Sequence, residues 1–148
     1  MSRFLVRQEL LDQTFRHFRQ CGGGRRECQV LWISPWHSPG AITEVVHSRH
    51  CGRPGGFHVD DAWLNAFWVD LAWTGRGVRV QAHTHPFEAF HSETDDAFPI
   101  VQTTGFLSLV IPDFGTGAPS LERSFLAEIS ATGGWTVIEP RSRLTIMP

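Results

Sequence analysis

The sequence predicts a single mixed α/β domain in which helices cover a sheet. The apolar pattern changes along the chain between helical and strand-like spacing, in the order helix, two strands, helix and then further strands. The chain has 148 residues and 41% hydrophobic content, which suffices for one well-buried core and is too little for two comfortable ones. We therefore expect one domain over residues 1–148.

The individual elements follow from apolar spacing and from the glycines and prolines between them. Apolar residues three or four positions apart predict two amphipathic helices, the second capped by Asp60. Branched apolar runs predict strands. In chain order we expect a helix at 2–20, strands at 25–34 and 41–47, a loop at 51–56, a helix at 59–73, a strand at 77–82, a short helix at 92–98, and strands at 105–112, 121–130 and 134–140.

Composition argues against several classes of function. A net charge of -2 without any arginine cluster larger than a pair predicts no nucleic-acid partner and no binding to an anionic membrane. The absence of a signal-peptide pattern and of an apolar run of about 18 residues predicts a cytoplasmic protein. The cysteines, Cys21, Cys28 and Cys51, are odd in number and form no Cys-x-x-Cys, so we expect reduced thiols rather than a disulfide or a structural zinc site.

The stretch from Val80 to Asp96 carries the chemistry. A predicted strand delivers His83 and His85, and the single residue between them places both side chains on one face. Ser92 then begins a Ser-x-x-Asp pattern, in which the serine caps a new helix and Asp95 reaches back as a third ligand. Two imidazoles and a carboxylate, with a fourth position open, form the ligand set of a catalytic zinc site.

Amide hydrolysis at such a site requires a carboxylate that holds the proton of the attacking water without binding the metal. The sequence offers several carboxylates, and spacing alone does not choose among Glu27, Glu44, Glu88, Glu93 and Asp96. His91 is equally compatible with lining the site and with facing water. The histidines outside this stretch are expected to be ordinary core or surface residues: His17, His37, His47, His50 and His58.

The sequence His83-Thr84-His85-Pro86, followed by Ser92-Glu93-Thr94-Asp95, resembles the signature of the JAMM/MPN-type (JAB) zinc metalloproteases. This family includes proteasome-lid and endosomal deubiquitinases and their bacterial relatives. Residues 26–32, Arg-Glu-Cys-Gln-Val-Leu-Trp, are similar to the first strand of the family, and residues 105–112 resemble the strand after its metal helix. Six residues separate the second histidine from the serine where the family usually has seven, so Asp96 remains an alternative to Asp95.

The resemblance implies a JAB/MPN, cytidine-deaminase-like architecture and a Zn²⁺ ion held by His83, His85 and Asp95. It also implies that Glu27, rather than Glu44, is the general acid/base and that Ser92 stabilises the oxyanion. The implied activity is that of an isopeptidase or peptidase cleaving the amide bond after the C-terminus of ubiquitin or a ubiquitin-like modifier.

The implied partners are the ubiquitin-like protein or its conjugate, together with ubiquitin-activating and ubiquitin-conjugating-like enzymes. Bacterial relatives occur beside such enzymes, some of them in antiphage systems. Two other functions compete with this interpretation. One is a non-catalytic scaffold of the MPN type, which the intact ligand set disfavours. The other is a metallohydrolase such as a PHP-type phosphoesterase, which we rank last because no histidine follows His91 to supply further ligands.

Overall fold

The computed structural model describes residues 3–92 and 100–148. Its helices are α1 (Gln8–Gly22), α2 (Asp61–Thr74) and the short α3 (Pro140–Arg143). Its strands are β1 (Phe4–Arg7), β2 (Gln29–Pro35), β3 (Glu44–His47), β4 (His50–Arg53), β5 (Gly56–Val59), β6 (Arg76–Thr84), β7 (Leu107–Ile111), β8 (Phe125–Ile129), β9 (Trp135–Ile138) and β10 (Leu144–Met147). Within the described residues, no helix is both long and apolar enough to cross a membrane.

A six-stranded mixed sheet in the order β3-β2-β6-β7-β8-β9 forms the centre of the molecule. The β6 and β7 strands run parallel, and the other neighbouring pairs are antiparallel. The two long helices cover this sheet, which confirms the predicted mixed α/β class. Since β2 and β6 are neighbours inside the sheet, the ends of these two strands lie side by side.

The sheet is buried on both faces because α1 and α2 pack on opposite sides of it. Alternate residues of a strand point to opposite faces, and Trp32 of β2 joins Phe18 of α1 in one core while Leu31 joins Leu71 of α2 in the other. The helix α2 begins where the Asp60 carboxylate accepts a hydrogen bond from the backbone N–H of Trp63 at 2.8 Å, so the predicted cap is confirmed.

Residues 4–7, expected in the first helix, form β1 instead and pair in parallel with β10. Phe4 and Val6 are buried while Leu5 and Arg7 are exposed, so the alternation of a strand is present in this segment. The backbone N–H and C=O groups of β1 find their hydrogen-bond partners in β10, at the other end of the chain. Apolar spacing within residues 4–7 does not reveal a partner so distant in sequence. The helical segment α1 therefore begins only at Gln8.

The segment at 51–56, expected to be a loop, lies within a hairpin. Strands β4 and β5 pair antiparallel with Arg53 opposite Gly56, so that only Pro54 and Gly55 remain for the turn. Its glycines and proline predict the turn correctly, but they conceal the short strands on either side. The predicted helix at 92–98 lies outside the described residues except for Ser92.

Candidate metal centre

Strand β6 and the residue just beyond its end position the two histidines. His85 follows the last residue of β6, yet its backbone N–H donates to the Ile111 carbonyl at 2.9 Å and its carbonyl accepts from Phe114 at 2.8 Å. The extended conformation therefore continues through His85, and both imidazoles lie on the same side of the sheet. Their Nε2 atoms are 3.3 Å apart, and the two residues are 0% and 4% exposed, for His83 and His85 respectively.

The register between β2 and β6 brings Glu27 to the histidines. Gln29 pairs with His83, and one step earlier the Thr84 backbone N–H donates to the Cys28 carbonyl at 3.1 Å. The next residue back in this antiparallel arrangement is Glu27, which consequently meets His85. The Glu27 Oε1 atom lies 3.7 Å from His85 Nε2, and the ligand atoms of Glu27, His83 and His85 are all within 4.8 Å of one another.

The β4–β5 hairpin fixes the backbone of Glu27 from the other side. The Glu27 N–H donates to the Arg53 carbonyl at 3.0 Å, and the neighbouring Gly52 lies so close that a Cβ atom there would overlap the Glu27 carbonyl oxygen. Glycine is therefore required at position 52 for steric reasons. The hairpin, where the sequence predicted only a loop, thus positions the buried carboxylate.

His91 anchors the loop that leads to Ser92. Its Nε2 atom lies 3.0 Å from the Ser108 hydroxyl, and its ring packs between Phe125 and Trp135, with ring centroids 5.8 and 4.8 Å away. Of the two possibilities left open for His91, the structure therefore supports an inward position rather than one facing water. Ser92 itself is half-buried.

The structure thus brings together three of the predicted site residues, Glu27, His83 and His85. Glu44 pairs with Ile33 at the opposite end of β2, where its carboxylate forms an ion pair with Arg76, and Glu88 is exposed. The remaining predicted residues, Glu93, Asp95 and Asp96, lie outside the described residues.

Comparison with known proteins supports both the fold and the chemistry. A JAB1/MPN domain protein from Archaeoglobus fulgidus aligns with a TM-score of 0.54 and 11% identity, over 99% of this chain and 100% of that one. A probable metalloprotease of Sinorhizobium fredii is 31% identical over 136 residues, covering 88% of this chain and 83% of the relative. The chain belongs to the JAMM/MPN metalloprotease family. It is a metallopeptidase with the JAB/MPN fold.

A further structure similar to this JAMM/MPN protein is the solution structure of a protein from Desulfitobacterium hafniense, with a TM-score of 0.69 and 14% identity. That alignment covers 97% of this chain and 92% of the other, which shows that the fold is shared over almost the whole length. No protein-family model matches the sequence.

The spacing of the two imidazoles fits the metal ion that a metallopeptidase requires. Two nitrogen ligands each about 2.0–2.1 Å from a tetrahedral ion lie about 3.3–3.4 Å apart, and the His83 and His85 Nε2 atoms are 3.3 Å apart. The pair is also deeply buried on its strand, so little movement is needed for both nitrogens to bind one ion. The residues present therefore fit a metal at this position.

A second group of potential ligands, Cys21, Cys28, His47 and His50, lies close to Glu27, with its ligand atoms within 4.8 Å of one another. Cys21 and Cys28 form a disulfide with their Cα atoms 6.3 Å apart, so the expectation of three reduced thiols was wrong. The end of α1 and the start of β2 meet here, and a spacing of six intervening residues gives no sequence signal for this contact. Cys51 is exposed and stays outside the disulfide.

His47 and His50, which the sequence predicted to be ordinary core or surface residues, lie half-buried in this group. Their rings lie 4.9 Å apart, and His17 stacks on His47 at 5.2 Å. Burial lowers the pKa of His47 to about 4, with further lowering by the neighbouring histidine charges. Burial also lowers the pKa of His50, against an opposing hydrogen bond to the Ser48 backbone. Both imidazoles are therefore neutral at pH 7.

Proposed function

We propose that this metallopeptidase is a zinc-dependent isopeptidase that cleaves the amide bond after the C-terminus of a ubiquitin-like modifier. The observation that carries the hydrolytic part is the buried carboxylate of Glu27, 3.7 Å from the ring nitrogen of His85. The substrate class is supported by the resemblance of residues 83–95 to deubiquitinases of the family.

His83, His85 and Asp95 are the proposed zinc ligands. Two neutral imidazoles and a carboxylate match the donor preference of zinc and leave a fourth position open, as catalytic sites do. The ion, when bound, supplies Lewis-acid activation of water and of the scissile carbonyl. Asp96 is the alternative third ligand if the helix predicted at 92–98 starts one residue later.

Glu27 acts as the general acid/base in this proposal. It accepts a proton from the attacking water and delivers it to the leaving amine, which requires a carboxylate that is close to the metal ligands but fixed in place. Glu27 meets both requirements, because it is 5% exposed and the Arg53 carbonyl holds its backbone N–H. The substitution Glu27→Gln keeps the volume of the side chain and removes its charge, so it distinguishes an acid/base role from metal binding.

The Ser92 hydroxyl is proposed to donate a hydrogen bond to the carbonyl oxygen as negative charge develops there. The hydrogen bond between His91 and Ser108, together with the aromatic rings around His91, limits the movement of the backbone that leads to Ser92. An oxyanion donor must be preorganised to be effective, and this anchoring supports the assignment. The same hydroxyl can cap the predicted helix, since the two roles do not exclude each other.

The proposed partners are a ubiquitin-like protein or its conjugate and the activating and conjugating enzymes of the same modification system. The test is to incubate the zinc-loaded protein with a ubiquitin-like protein fused through its C-terminus to a reporter, and with an unrelated peptide fused to the same reporter. We expect cleavage of the first substrate only, at the modifier's C-terminus, and at least about 100-fold slower cleavage by Glu27→Gln.

A lysine-linked conjugate of the ubiquitin-like protein provides a third substrate in this assay. The chain contains no lysine, so every lysine isopeptide bond detected in the assay belongs to the substrate and not to the enzyme. Equal cleavage of both fusions would instead identify a general peptidase. Absence of all cleavage by zinc-loaded protein would show that neither fusion carries the true substrate, whereas a purified protein without stoichiometric metal would favour the non-catalytic scaffold.

A further inference from the structure

The four residues of the second group come from four separate segments of the chain that meet beside the start of β2. Cys21 lies near the end of α1, Cys28 just before β2, His47 at the end of β3 and His50 at the start of β4. Cys28 is fully buried and the other three are half-buried. The ligand atoms of these residues lie within 4.8 Å of one another, so all four can reach a common point.

The hydrogen bonds of His50 orient it as a ligand. Its Nδ1 atom lies 2.8 Å from the Ser48 carbonyl oxygen, which accepts a hydrogen bond only if this nitrogen carries the proton. The Nε2 atom then carries the lone pair, and it faces the Cys21 sulfur at 3.4 Å and the Gln29 N–H at 3.4 Å. A hydrogen bond from the far ring nitrogen to a backbone carbonyl is the usual support of a metal-binding histidine.

His47 contributes an independent observation. Its Nε2 atom is shielded from solvent and has no hydrogen-bond partner among the described residues. A buried polar atom of this kind costs free energy unless something binds it. The lowered pKa values of His47 and His50 keep both rings in the neutral form that binds metals.

We propose that in the reduced protein Cys21, Cys28, His47 and His50 bind a second, structural Zn²⁺ ion. Two thiolates and two imidazoles close all four positions of a tetrahedral ion, which is the ligand set of structural zinc. A sulfur about 2.3 Å and a nitrogen about 2.0–2.1 Å from such an ion lie about 3.5 Å apart, and the observed separation of Cys21 Sγ and His50 Nε2 is 3.4 Å. The two sulfurs, joined in the disulfide, must separate for the ion to enter.

The disulfide and the metal site exclude each other because they use the same two sulfurs. Binding of the ion to the two thiols releases two protons and involves no electron transfer. Starting from the disulfide, a thiol reductant must first supply two electrons and two protons. The site is therefore expected to fill only when the protein is reduced.

Cobalt substitution tests this proposal without relying on activity. The protein is reduced with a phosphine, the thiols are counted, and Co²⁺ is added to chelator-treated samples. The catalytic group, Glu27 with His83 and His85, contains no sulfur, so a thiolate-to-cobalt charge-transfer band can arise only from cysteine ligands. Cys51→Ser serves as the matched control because it removes an exposed thiol outside the group.

We expect the charge-transfer band in wild type, in Cys51→Ser and in the double variant His83→Ala/His85→Ala. Its intensity should saturate when about one cobalt ion is bound at the cysteine-containing site of each protein molecule. Cys21→Ser and His50→Ala should lose the band or weaken cobalt affinity by more than about 100-fold, because loss of a supporting partner outside the ligand shell already costs about 10–100-fold. A reduced wild-type protein with three titratable thiols and no band overturns the proposal. A band that persists in Cys21→Ser/Cys28→Ser overturns it as well. The wild-type spectrum decides even if a variant does not fold.

Discussion

Replacement of Glu27 by glutamine tests the central assignment. The side chain is 5% exposed and lies 3.7 Å from His85, so an isosteric amide keeps the packing while it removes the proton acceptor. A general acid/base contributes about 10²–10⁴-fold to rate, and we expect kcat to fall by that factor, which corresponds to about 3–5 kcal/mol in the activation free energy. The bound zinc should remain at about one ion per catalytic site, because glutamine replaces no ligand in this mechanism.

The assay is cleavage of the modifier fusion under saturating substrate, with metal content measured on the same samples. Glu44→Gln is the matched control, since Glu44 is also a glutamate beside β2 but pairs with Arg76 at the far end of that strand. This pair is partly exposed and its loss should cost less than about 1 kcal/mol of stability without changing kcat. If Glu27→Gln loses zinc together with activity, Glu27 is a metal ligand and the assignment of the acid/base is wrong. A kcat within about threefold of wild type would also refute it.

Three further predictions address the support of the site. Gly52→Ala should lower both stability and kcat, because its Cβ would overlap the carbonyl oxygen of Glu27. Urea unfolding measures the stability, and a cleavage assay measures kcat. Gly55→Ala is the control and should change neither, because the space around its new Cβ is open. His85→Ala should lose the catalytic zinc and all cleavage while keeping its fold by circular dichroism, and retention of full zinc content at that site would contradict its role as ligand. Burial lowers the pKa of His47 from 6.5 to about 4. In the metal-free, oxidised protein the unfolded chain therefore binds more protons than the folded chain between about pH 4 and pH 6.5. The free energy of unfolding should fall as the pH drops below about 6.5. After allowance for partial exposure the loss due to His47 is about 1 kcal/mol by pH 4.5. Urea titrations should show a pH dependence weaker by this amount in His47→Gln, which keeps the contribution of His50.

The histidine pair was the part of the site that sequence alone could predict. A one-residue separation in a strand places His83 and His85 on one face whatever the rest of the fold does. Glu27 is different, because its proximity depends on the register between β2 and β6 and on a hairpin around Gly52. Spacing does not encode that register, and only the resemblance to a family favoured Glu27 over Glu44.

The long-range contacts of the termini were equally hidden. Residues 4–7 alternate in burial only because β10, which includes Leu144, pairs with them. The same stretch is compatible with helical spacing when its partner is unknown. The cysteine and histidine group was missed for a related reason, since its four members come from four separate segments of the chain and no two of them form a recognised ligand spacing.

Glu27 and Cys28 connect the two groups of ligands. Adjacent residues of an extended chain point in opposite directions, so the carboxylate faces the histidine pair while the neighbouring sulfur faces Cys21. Whether disulfide or zinc joins the two sulfurs, the link ties α1 to the chain that carries Glu27. Removing Cys21 breaks both kinds of link while leaving every residue of the catalytic group in place.

We therefore expect Cys21→Ser to lower kcat several-fold, because the Glu27 backbone loses one of its supports, while the catalytic zinc stays bound. KM should change little, since Cys21 belongs to the second group of ligands and not to the group of Glu27, His83 and His85. Cys51→Ser, which removes a thiol outside the link, should behave as wild type. A Cys21→Ser enzyme with unchanged kcat would mean that the hydrogen bond from Glu27 to Arg53 alone suffices to hold the carboxylate.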